Sequence, residues 1–497
     1  MPAAIMVLGT ASNVGKSWLT TALCALARRR GLRVAPFKAQ NMSNNAAPAR
    51  CPDGTWGEIG RAQATQAEAA GLDPRVEMNP ILLKPSAEQQ SQVVLLGRPL
   101  GHMEARRYWG DRGRFREAVE GAYATLAQGR DLMVLEGAGS PVELNLMTND
   151  LVNLSMARHA AAHARASGQP GGCLLVGDID RGGVFAALLG TLDLMAPADR
   201  ALVKGLVVNR FRGDPHLFSE GPRILEARGG VPVRGVIPWR PDVYVAPEDG
   251  QDIHGMGSGV LDLCVVRLPT VSNFTDVDAL ATLPPVRLRY VDRAEQVGNP
   301  DLLILPGAKN TLADLRWMRA RGLDRVVVAA ASRGVPVLGL CGGYQLLGAR
   351  IHDPEGAGGT PGVEPGLGLL PVETRFSLTK RVQPSLGTTC GGWLLPAGLP
   401  VEGYEIHQGE TVAGAAPLVE LADGPDGAAQ GLVAGTYLHG LLDTAPARAA
   451  LIAALLARRG LPAFDGPVVS AAASRARGYE ALADLMEEHV DLDGLLP

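Results

Sequence analysis

Short runs of mostly apolar residues recur along the chain, and stretches with apolar positions at helical spacing separate them. The main runs are residues 5–8, 34–38, 132–135, 174–176, 206–208, 261–268, 302–305 and 335–340. A short apolar run that ends at glycine or a polar residue is typical of a strand buried on both faces of a parallel sheet. Strands that alternate with helices predict an α/β protein with two doubly wound sheets.

The pattern breaks most clearly between residues 239 and 259, where glycine, proline and charged residues replace the periodic segments. Turn-forming residues without periodicity indicate a linker. We therefore predict a first domain over 1–240, a linker over 241–259 and a second domain over 260–450. Residues 451–497 are predicted to form a helical extension that packs on the second domain.

Charge, cysteine spacing and the length of the apolar stretches argue against a nucleic-acid-binding, zinc-binding, secreted or membrane protein. The 497 residues carry a net charge of -4, and the longest run of basic residues is 28–30, so no nucleic-acid partner is expected. The six cysteines form no C-x-x-C pair, which favours a reducing cytoplasm and argues against a zinc site. The apolar start is interpreted as a first strand and not a signal peptide, and no stretch is expected to span a membrane. Formation of a homo-oligomer stays open.

The apolar run 335–340 ends at a cysteine that stands between glycines. Cys341 precedes Gly342 and Gly343, and a helical pattern opens at Gln345. Because glycine lacks a Cβ, it permits a tight strand-to-helix turn that presents the thiol at the sheet edge, beside helix N–H groups. This pattern predicts a nucleophile elbow with cysteine in place of serine. The alternative is a buried structural cysteine.

A nucleophilic cysteine requires a base, and two late histidines follow predicted strands. His439 is favoured over His407 because a short strand delivers it to a glycine, at a distance along the chain that suits a strand adjacent to the cysteine strand. The turn after strand 302–305 contains Gly307. Its N–H and that of Gly342 are predicted to form an oxyanion hole.

A glycine-rich loop joins the first predicted strand to the first helix. Five residues separate its first glycine from the Gly-Lys-Ser triplet, one more than in a strict P-loop. The chemistry is retained, because backbone N–H groups can surround a phosphate, the lysine can reach the terminal phosphates and the serine can hold Mg²⁺. The predicted ATP contacts in this loop are Gly9, Thr10, Asn13, Gly15, Lys16 and Ser17; a loop without function is the alternative.

Polar residues follow other strands at the same predicted edge, where open α/β sheets bind ligands. Lys38 is a candidate second phosphate contact or part of a solvated loop. Glu136 is predicted to hold Mg²⁺ together with Ser17. Glu58, in a run that looks helical, is either a metal ligand or a first-turn carboxylate. Asn209 can offer both a donor and an acceptor to a base edge.

Taken together, these motifs resemble the cobyric acid synthase family, the glutamine-dependent enzymes of the cobalamin pathway. The likeness extends along nearly the whole chain, and residues 38–43 and 177–183 are its most distinctive stretches. It implies an ATP-binding domain similar to dethiobiotin synthetase, with a P-loop NTPase-like sheet, and a flavodoxin-like domain similar to class I glutamine amidotransferases. By this resemblance Cys341 is the nucleophile, His439 its partner and Asn209 a contact to adenine.

The resemblance also implies the reaction partners. These are ATP, Mg²⁺, glutamine and a corrinoid carboxylate, adenosylcobyrinic acid a,c-diamide, which is amidated on its b, d, e and g side chains. Candidate contacts to this substrate are Gln40, Asn41, Asp178, Asp180 and Arg181. An Asp-Arg pair that only braces a turn is the competing interpretation of the last three.

One position departs from ordinary class I amidotransferases. They carry a glutamate two residues after the histidine, whereas this chain has Leu441, and the family that it resembles also lacks that glutamate. Glu405 and Asp276 are the candidates for orienting His439. Two other functions stay open: cobyrinic acid a,c-diamide synthase, and a nucleotide switch with an inert amidotransferase domain.

Overall fold

The first half of the chain forms a six-stranded parallel sheet. The computed structural model describes residues 1–87, 90–104, 112–147, 150–241, 243, 245, 255–412 and 414–497. In spatial order the strands are β12 (Val233–Pro238), β11 (Val203–Phe211), β10 (Gly171–Asp178), β1 (Ala3–Gly9), β9 (Leu132–Glu136) and β2 (Val34–Phe37). The glycine-rich loop follows β1, near the centre of this sheet.

Helices cover both faces of this sheet, as the alternating pattern predicted. They are α1 (Lys16–Arg29), α2 (Arg61–Ala69), α3 (Arg112–Leu126), α4 (Leu154–Ala166), α5 (Val184–Leu194), α6 (Pro197–Arg200) and α7 (Gly221–Gly229). Short 3-10 turns occur at Val76–Met78 and Pro215–Phe218. Two apolar clusters, one on each face of the sheet, form the core.

An insertion between β2 and α3 carries a second layer of strands toward the other domain. It consists of a four-stranded sheet and a hairpin. The sheet contains β3 (Gln40–Met42), β6 (Ile81–Ala87), β7 (Gln90–Leu95) and β8 (Arg98–Glu104), and the hairpin contains β4 (Ala46–Arg50) and β5 (Trp56–Gly60). The run 58–66, predicted as helical, is therefore a strand up to Gly60 and a helix only from Arg61.

The second domain is built on a six-stranded sheet whose five parallel strands have the flavodoxin-like order 2-1-3-4-5. Its strands in space are β15 (Val286–Val291), β13 (Leu261–Val266), β16 (Leu302–Leu305), β18 (Val337–Leu340), β26 (Val433–Thr436) and β25 (Ala428–Gln430), of which only β25 is antiparallel to its neighbour. The helices are α8 (Thr275–Ala281), α9 (Ala294–Val297), α10 (Thr311–Ala320), α11 (Leu323–Ser332), α12 (Gly342–Leu347) and α13 (Ala445–Arg458). Both doubly wound sheets of the sequence prediction are confirmed.

A further sheet of the second domain reaches the first. It contains β19 (Arg350–Asp353), β20 (Gly362–Pro365), β21 (Glu373–Thr389), β22 (Pro400–Val412), β23 (Val419–Leu421) and β24 (Gly424–Asp426). Tyr404 and Ile406 of β22 pack with Ala46, Leu82 and Val94 of the insertion in one buried cluster. The long β21–β22 hairpin therefore joins the domains next to the cysteine turn.

The C-terminal helix corrects the predicted packing of residues 451–497. Residues 451–458 belong to α13 and lie in the core of the second domain, as predicted, but α14 (Ala471–His489) packs on the first. Its Leu482, Leu485 and Met486 share a cluster with the apolar face of α1. Arg29 also donates to Asp484 at 2.5 Å. The tail thus returns to the first domain because its apolar stripe matches α1.

The predicted linker lies partly outside the described residues, which omit 242, 244 and 246–254. On one side of that gap, Val243 and Val245 pack on the core of the first domain. On the other side, Met256 N–H donates to Leu288 O of β15 at 2.9 Å. Within the described part of the chain, no helix is long and apolar enough to cross a membrane.

Candidate active sites

The turn at Cys341 has the strained backbone of a nucleophile elbow. Cys341 adopts φ 50° and ψ -107° between β18 and α12, a conformation that residues other than glycine rarely hold. The two glycines that follow are required sterically. A Cβ on Gly342 would lie 2.6 Å from the Ala308 nitrogen, and one on Gly343 would lie 1.9 Å from the Leu305 oxygen. The elbow packs so closely on Leu305 and Ala308 that only glycine fits at positions 342 and 343.

His439 lies beside the Cys341 thiol, fully buried, and is paired with Asp276. Its Nδ1 is 2.7 Å from Asp276 Oδ2, and Gly440 N–H donates to Asp276 Oδ1 at 3.0 Å. Burial lowers the pKa of His439, but the charges of Asp276 and Cys341 and hydrogen bonds to both outweigh it and raise this pKa to about 10. Of the two carboxylates considered for orienting His439, the fold brings Asp276 to it.

Glu405, the other candidate, faces the other histidine. His407 Nε2 is 3.4 Å from Glu405 Oε1, and Ser385 donates to Glu405 Oε2 at 2.7 Å. The His407 ring stacks on Tyr437 with ring centroids 3.9 Å apart. His407 and Glu405 thus form a separate pair that supports the wall of the site and does not touch His439.

The pairing of two short strands bears on the oxyanion hole predicted at Gly307 and Gly342. The strand pair β14 (Val271–Ser272) and β17 (Gly307–Ala308) places Gly307 opposite Ser272, and Lys309 N–H donates to Thr270 O at 2.9 Å. Along such an edge alternate N–H groups point to opposite sides, so that of Ala308 faces away from Thr270 and toward Gly342. The Ala308 nitrogen therefore lies against Gly342 at the elbow, whereas Gly307 packs on Ser272, and the donors of the oxyanion hole stay a prediction.

Asn273, three residues before Asp276, is a site residue to which the sequence pattern assigns no role. Its side-chain Nδ2 lies 3.1 Å from His439 Nε2, and its Oδ1 accepts the Ala46 N–H of the first domain at 3.0 Å. A lone asparagine in a short turn gives no periodic signal. Only the contact between domains shows that it belongs to the site.

The glycine-rich loop encloses the head of Lys16. Lys16 Nζ donates to Ala11 O at 2.9 Å and to Gly139 O at 3.0 Å. Asn13 and Gly15 hold positive φ values of 61° and 103°, which turn successive N–H groups of the loop to one side. At the start of the loop, Thr10 N–H donates to Val176 O at 2.9 Å and so fixes the loop to β10. The loop has the form of a phosphate cradle despite its extra residue.

Glu136 is the centre of a buried polar cluster next to this loop. It accepts hydrogen bonds from Ser17 Oγ at 2.8 Å, from Lys38 Nζ at 2.9 Å and from Gln66 Nε2 at 2.5 Å. Burial alone would raise the pKa of Glu136, but the charge of Lys38 and these hydrogen bonds lower it, so the carboxylate stays ionised. Gln66 was not assigned a role from the sequence.

The pair Ser17 and Glu136 offers the oxygen ligands that Mg²⁺ prefers. Their side-chain oxygens lie 2.8 Å apart at the mouth of the loop. Among the described residues, no group of three or more His, Cys, Asp or Glu side chains could hold a metal ion. Two protein oxygens suit an ion that takes its remaining ligands from phosphate and water.

Asn209 lies against the loop, so both atoms of its amide have protein partners. Its Nδ2 donates to Val14 O at 2.9 Å, and its Oδ1 accepts the Arg210 N–H, also at 2.9 Å. A Cβ on Gly15 would lie 2.0 Å from Asn209 Nδ2, which is a second reason for glycine there. In this arrangement Asn209 braces the loop, and contact with adenine stays a prediction.

The five candidate substrate residues divide into two places. Asp178 receives Arg210 at 2.9 Å and Arg181 at 3.5 Å, while Asp180 receives Arg212 at 2.9 Å, so these side chains form ion pairs beyond β10. The others lie in β3, where Asn41 Nδ2 donates to Gln63 Oε1 at 2.9 Å and Gln40 pairs with Ile81. The contacts fit the bracing interpretation of the acidic turn, and a substrate role stays a prediction.

Glu58 forms neither a metal site nor a helix N-terminus. It is fully buried in β5 and receives Lys84 at 2.9 Å and Lys380 of the second domain at short range. Burial raises the pKa of Glu58, but the charges of Lys380 and Lys84 outweigh it and lower the pKa to about 2. Burial lowers the pKa of Lys380 to about 8 despite Glu58, since Lys84 shares the same carboxylate. Glu58 therefore ties the two domains together.

Comparison with known proteins agrees with this two-site arrangement. Residues 5–253 match the CobQ/CobB/MinD/ParA nucleotide binding domain, and residues 262–447 match the CobB/CobQ-like glutamine amidotransferase domain. Cobyric acid synthase of Moorella thermoacetica is 45% identical over 515 residues, with 100% of this chain and 97% of the relative covered. The chain belongs to the cobyric acid synthase family.

Two further relatives support the same family assignment. Cobyric acid synthase of Sorangium cellulosum is 46% identical, with 98% of this chain and 96% of the relative covered. That of Klebsiella pneumoniae is 47% identical, with 99% of this chain and 97% of the relative covered. The family resemblance inferred from the motifs is confirmed, and membership makes the chain a glutamine-hydrolysing ligase of cobalamin biosynthesis with a nucleotide-binding domain.

Proposed function

We propose that this chain amidates the b, d, e and g carboxylates of adenosylcobyrinic acid a,c-diamide, with ammonia from glutamine and activation by ATP, to give adenosylcobyric acid. The observation that carries the proposal is the pairing of His439 with both the Cys341 elbow and Asp276, in a chain whose other domain holds a phosphate loop and Glu136. One domain can release nitrogen, and the other can activate an acid.

At the glutaminase site, His439 Nε2 takes the proton of the Cys341 thiol. The thiolate then attacks the side-chain amide carbon of glutamine, and the N–H groups of Ala308 and Gly342 stabilise the oxyanion. His439 returns the proton to the leaving nitrogen, the C–N bond breaks, and ammonia leaves a thioester on Cys341. Water attacks the thioester, releases glutamate and restores the thiol. Asp276 keeps the ring oriented throughout.

At the synthetase site, the chain's own groups position the phosphates of ATP. Lys16 and the loop N–H groups hold the terminal phosphates. Lys38, whose Nζ lies 2.9 Å from Glu136 Oε1, is a second positive charge that can offset the negative charge of a transferred phosphoryl group. Mg²⁺ held by Ser17 and Glu136 would neutralise phosphate charge. Transfer of the γ-phosphoryl group to a substrate carboxylate gives an acyl phosphate. Ammonia displaces phosphate from it and leaves the amide.

The decisive experiment offers ATP, Mg²⁺ and glutamine with either cobyrinic acid or its a,c-diamide and follows products by mass spectrometry. Four carboxyl-to-amide conversions on the a,c-diamide, each seen as the small mass decrease of replacing OH by NH₂, support the proposal. Two such conversions on cobyrinic acid, with none on the a,c-diamide, would instead identify a cobyrinic acid a,c-diamide synthase.

Variants test the two sites separately. Cys341→Ala should abolish glutamine-dependent amidation and retain amidation from ammonia, whereas Lys16→Ala should abolish both. If wild type and Cys341→Ala hydrolyse glutamine equally and negligibly, the amidotransferase domain is inert. Unchanged product with Lys16→Ala would mean that the phosphate contacts are misassigned.

A further inference from the structure

Asn273 lies between the catalytic histidine and the first domain and is hydrogen-bonded to both. Its Oδ1 accepts the Ala46 N–H at 3.0 Å, and its Nδ2 is 3.1 Å from His439 Nε2. All three residues are at most 4% exposed, so both hydrogen bonds are shielded from solvent. Asn273 holds φ 49°, a left-handed conformation that asparagine tolerates better than most residues.

The Ala46 N–H fixes the direction in which the Asn273 amide faces. A backbone N–H can only donate, so the amide oxygen is turned to Ala46 and the amide NH₂ group to His439. Because that NH₂ group can only donate, a hydrogen bond between it and His439 Nε2 requires Nε2 to accept. It accepts only in the neutral ring, with the ring proton on Nδ1 toward Asp276. An imidazolium would place two donors face to face.

Asp276 and Asn273 thus favour different charge states of His439. Asp276 and Cys341, whose charges and hydrogen bonds raise the pKa of His439, favour the imidazolium, whereas the Asn273 amide in this orientation can donate only to the neutral ring. Acylation requires Nε2 to take the thiol proton and later to give it up. The hydrogen bond from the Asn273 amide to Nε2 therefore competes with uptake of the thiol proton, and turning the amide away from Nε2 would break its bond to Ala46.

Ala46 belongs to the part of the chain that also contacts the nucleotide site. It directly follows the segment 38–45, whose Lys38 is paired with Glu136 at 2.9 Å. Asn45 O accepts the Arg61 N–H at 3.0 Å, which ties this segment to the start of α2. From α2, Gln66 donates to Glu136. A shift of Lys38 or α2 on nucleotide binding would therefore move Ala46.

A second contact from the same helix reaches the histidine from another side. The Arg61 guanidinium lies 5.6 Å from the ring centroid of Tyr404, and the Tyr404 ring stacks on His439 with centroids 5.1 Å apart. Backbone hydrogen bonds of 2.9 Å in each direction join Tyr404 and His439. The first domain thus contacts two neighbours of His439: Arg61 lies over Tyr404, which stacks on the face of the ring, and Ala46 binds Asn273, which faces Nε2.

We propose that Asn273 is a positioning residue that restrains His439 until the nucleotide site is filled. The proposal rests on the assignment of Cys341 and His439 as the glutaminase pair. Movement of Ala46 frees the amide oxygen, the amide rotates, and its oxygen then accepts from the imidazolium Nε2–H. Glutamine is thereby hydrolysed mainly when the other domain can use the ammonia.

Asn273→Asp provides the sharpest test. A carboxylate accepts from both Ala46 and an imidazolium, and aspartate also tolerates a left-handed backbone. The readout is alkylation of Cys341 by iodoacetamide in the full-length protein, followed at the Cys341 peptide by mass spectrometry. With Mg²⁺ and a non-hydrolysable ATP analogue, wild-type alkylation should accelerate about five- to tenfold, the effect of one hydrogen bond. In Asn273→Asp it should be fast from the start and change less than twofold.

Two further variants complete the experiment. Asn273→Ala removes the donor without adding a charge and should also lose the response to nucleotide. Gln92→Glu is the matched control, because Gln92 crosses the same interface to Gln408 at 3.5 Å away from His439, and it should respond like wild type.

Three results separate the ideas. Alkylation of Asn273→Asp that responds to nucleotide as in wild type overturns the restraint, and so does a wild type without any response. Equal rates of glutamine hydrolysis by wild type and Cys341→Ala would instead contradict the assignment of Cys341 and His439 as the glutaminase pair. Thermal unfolding of each variant identifies any that fails to fold, in which case the remaining Asn273 variant decides.

Discussion

Asp276 Oδ2 lies 2.7 Å from His439 Nδ1, although 163 residues separate the two along the chain. Ordinary class I amidotransferases place a glutamate two residues after this histidine, whereas Leu441 is buried at that position here. The carboxylate instead comes from α8, at the other end of the domain. Its second oxygen accepts the Gly440 N–H, so the acid holds both the ring and the backbone beside it.

Asp276→Asn should lower glutamine-dependent amidation by about 10³- to 10⁴-fold, because the amide can hold His439 in the wrong tautomer. Amidation from ammonia should remain within about twofold of wild type, since the synthetase site is untouched. Steady-state rates with each nitrogen source measure both effects.

Glu405→Gln is the matched control for this variant. Glu405 has a similar carboxylate environment but serves His407, so its loss should change the glutamine-dependent rate less than about tenfold. Equal losses in the two variants would contradict the assignment of Asp276.

The outcome at these two acids shows where sequence reasoning stops. The cysteine turn was predictable because its glycines and the preceding apolar run are local and report a steric requirement directly. Asp276 and Glu405 were equally good candidates, since the choice depends on which face of β22 points at His439. That depends on register and packing over long sequence distances, which periodicity does not encode.

The C-terminal helix illustrates the same point. Its apolar stripe predicted a packed amphipathic helix, but the stripe does not indicate which domain the helix packs on. The partner is α1, and ion pairs such as Arg29 with Glu487 fix the register on it. The choice between Gly307 and Ala308 as the oxyanion donor has a similar cause, because strand pairing decides which N–H is turned away from the neighbouring strand.

Lys38→Met should lower the free energy of unfolding of the first domain by about 3 to 5 kcal/mol, the cost of leaving a buried carboxylate unpaired. Lys38 and Glu136 are both nearly inaccessible and 2.9 Å apart. The double variant Lys38→Met with Glu136→Gln should recover part of the loss, which urea unfolding followed by tryptophan fluorescence measures. A loss of less than 1 kcal/mol in Lys38→Met would contradict a tightly coupled pair.

Gly343→Ala should prevent the elbow from forming, because its Cβ would lie 1.9 Å from the Leu305 oxygen, a backbone atom that cannot move aside easily. We expect destabilisation of more than about 4 kcal/mol and loss of glutaminase activity.

Gly190→Ala is the control for this substitution. Gly190 lies inside α5 with open space around it, so alanine should stabilise the protein by about 0.5 to 1 kcal/mol. Thermal unfolding curves of the two variants should shift in opposite directions, and a stable Gly343→Ala protein would mean that the contact with Leu305 is misjudged.

Acid should separate the domains through Glu58. Its folded-state pKa of about 2 lies below the ordinary value, so its carboxylate contributes stability that is present above about pH 4.5 and is lost as the pH falls toward 2. Glu58→Gln should therefore flatten the pH dependence of unfolding between pH 4.5 and 2, besides lowering stability at pH 7 by leaving Lys84 and Lys380 without their anion. Urea midpoints at a series of pH values in both proteins measure the difference. Parallel pH profiles would show that other carboxylates govern the acid transition.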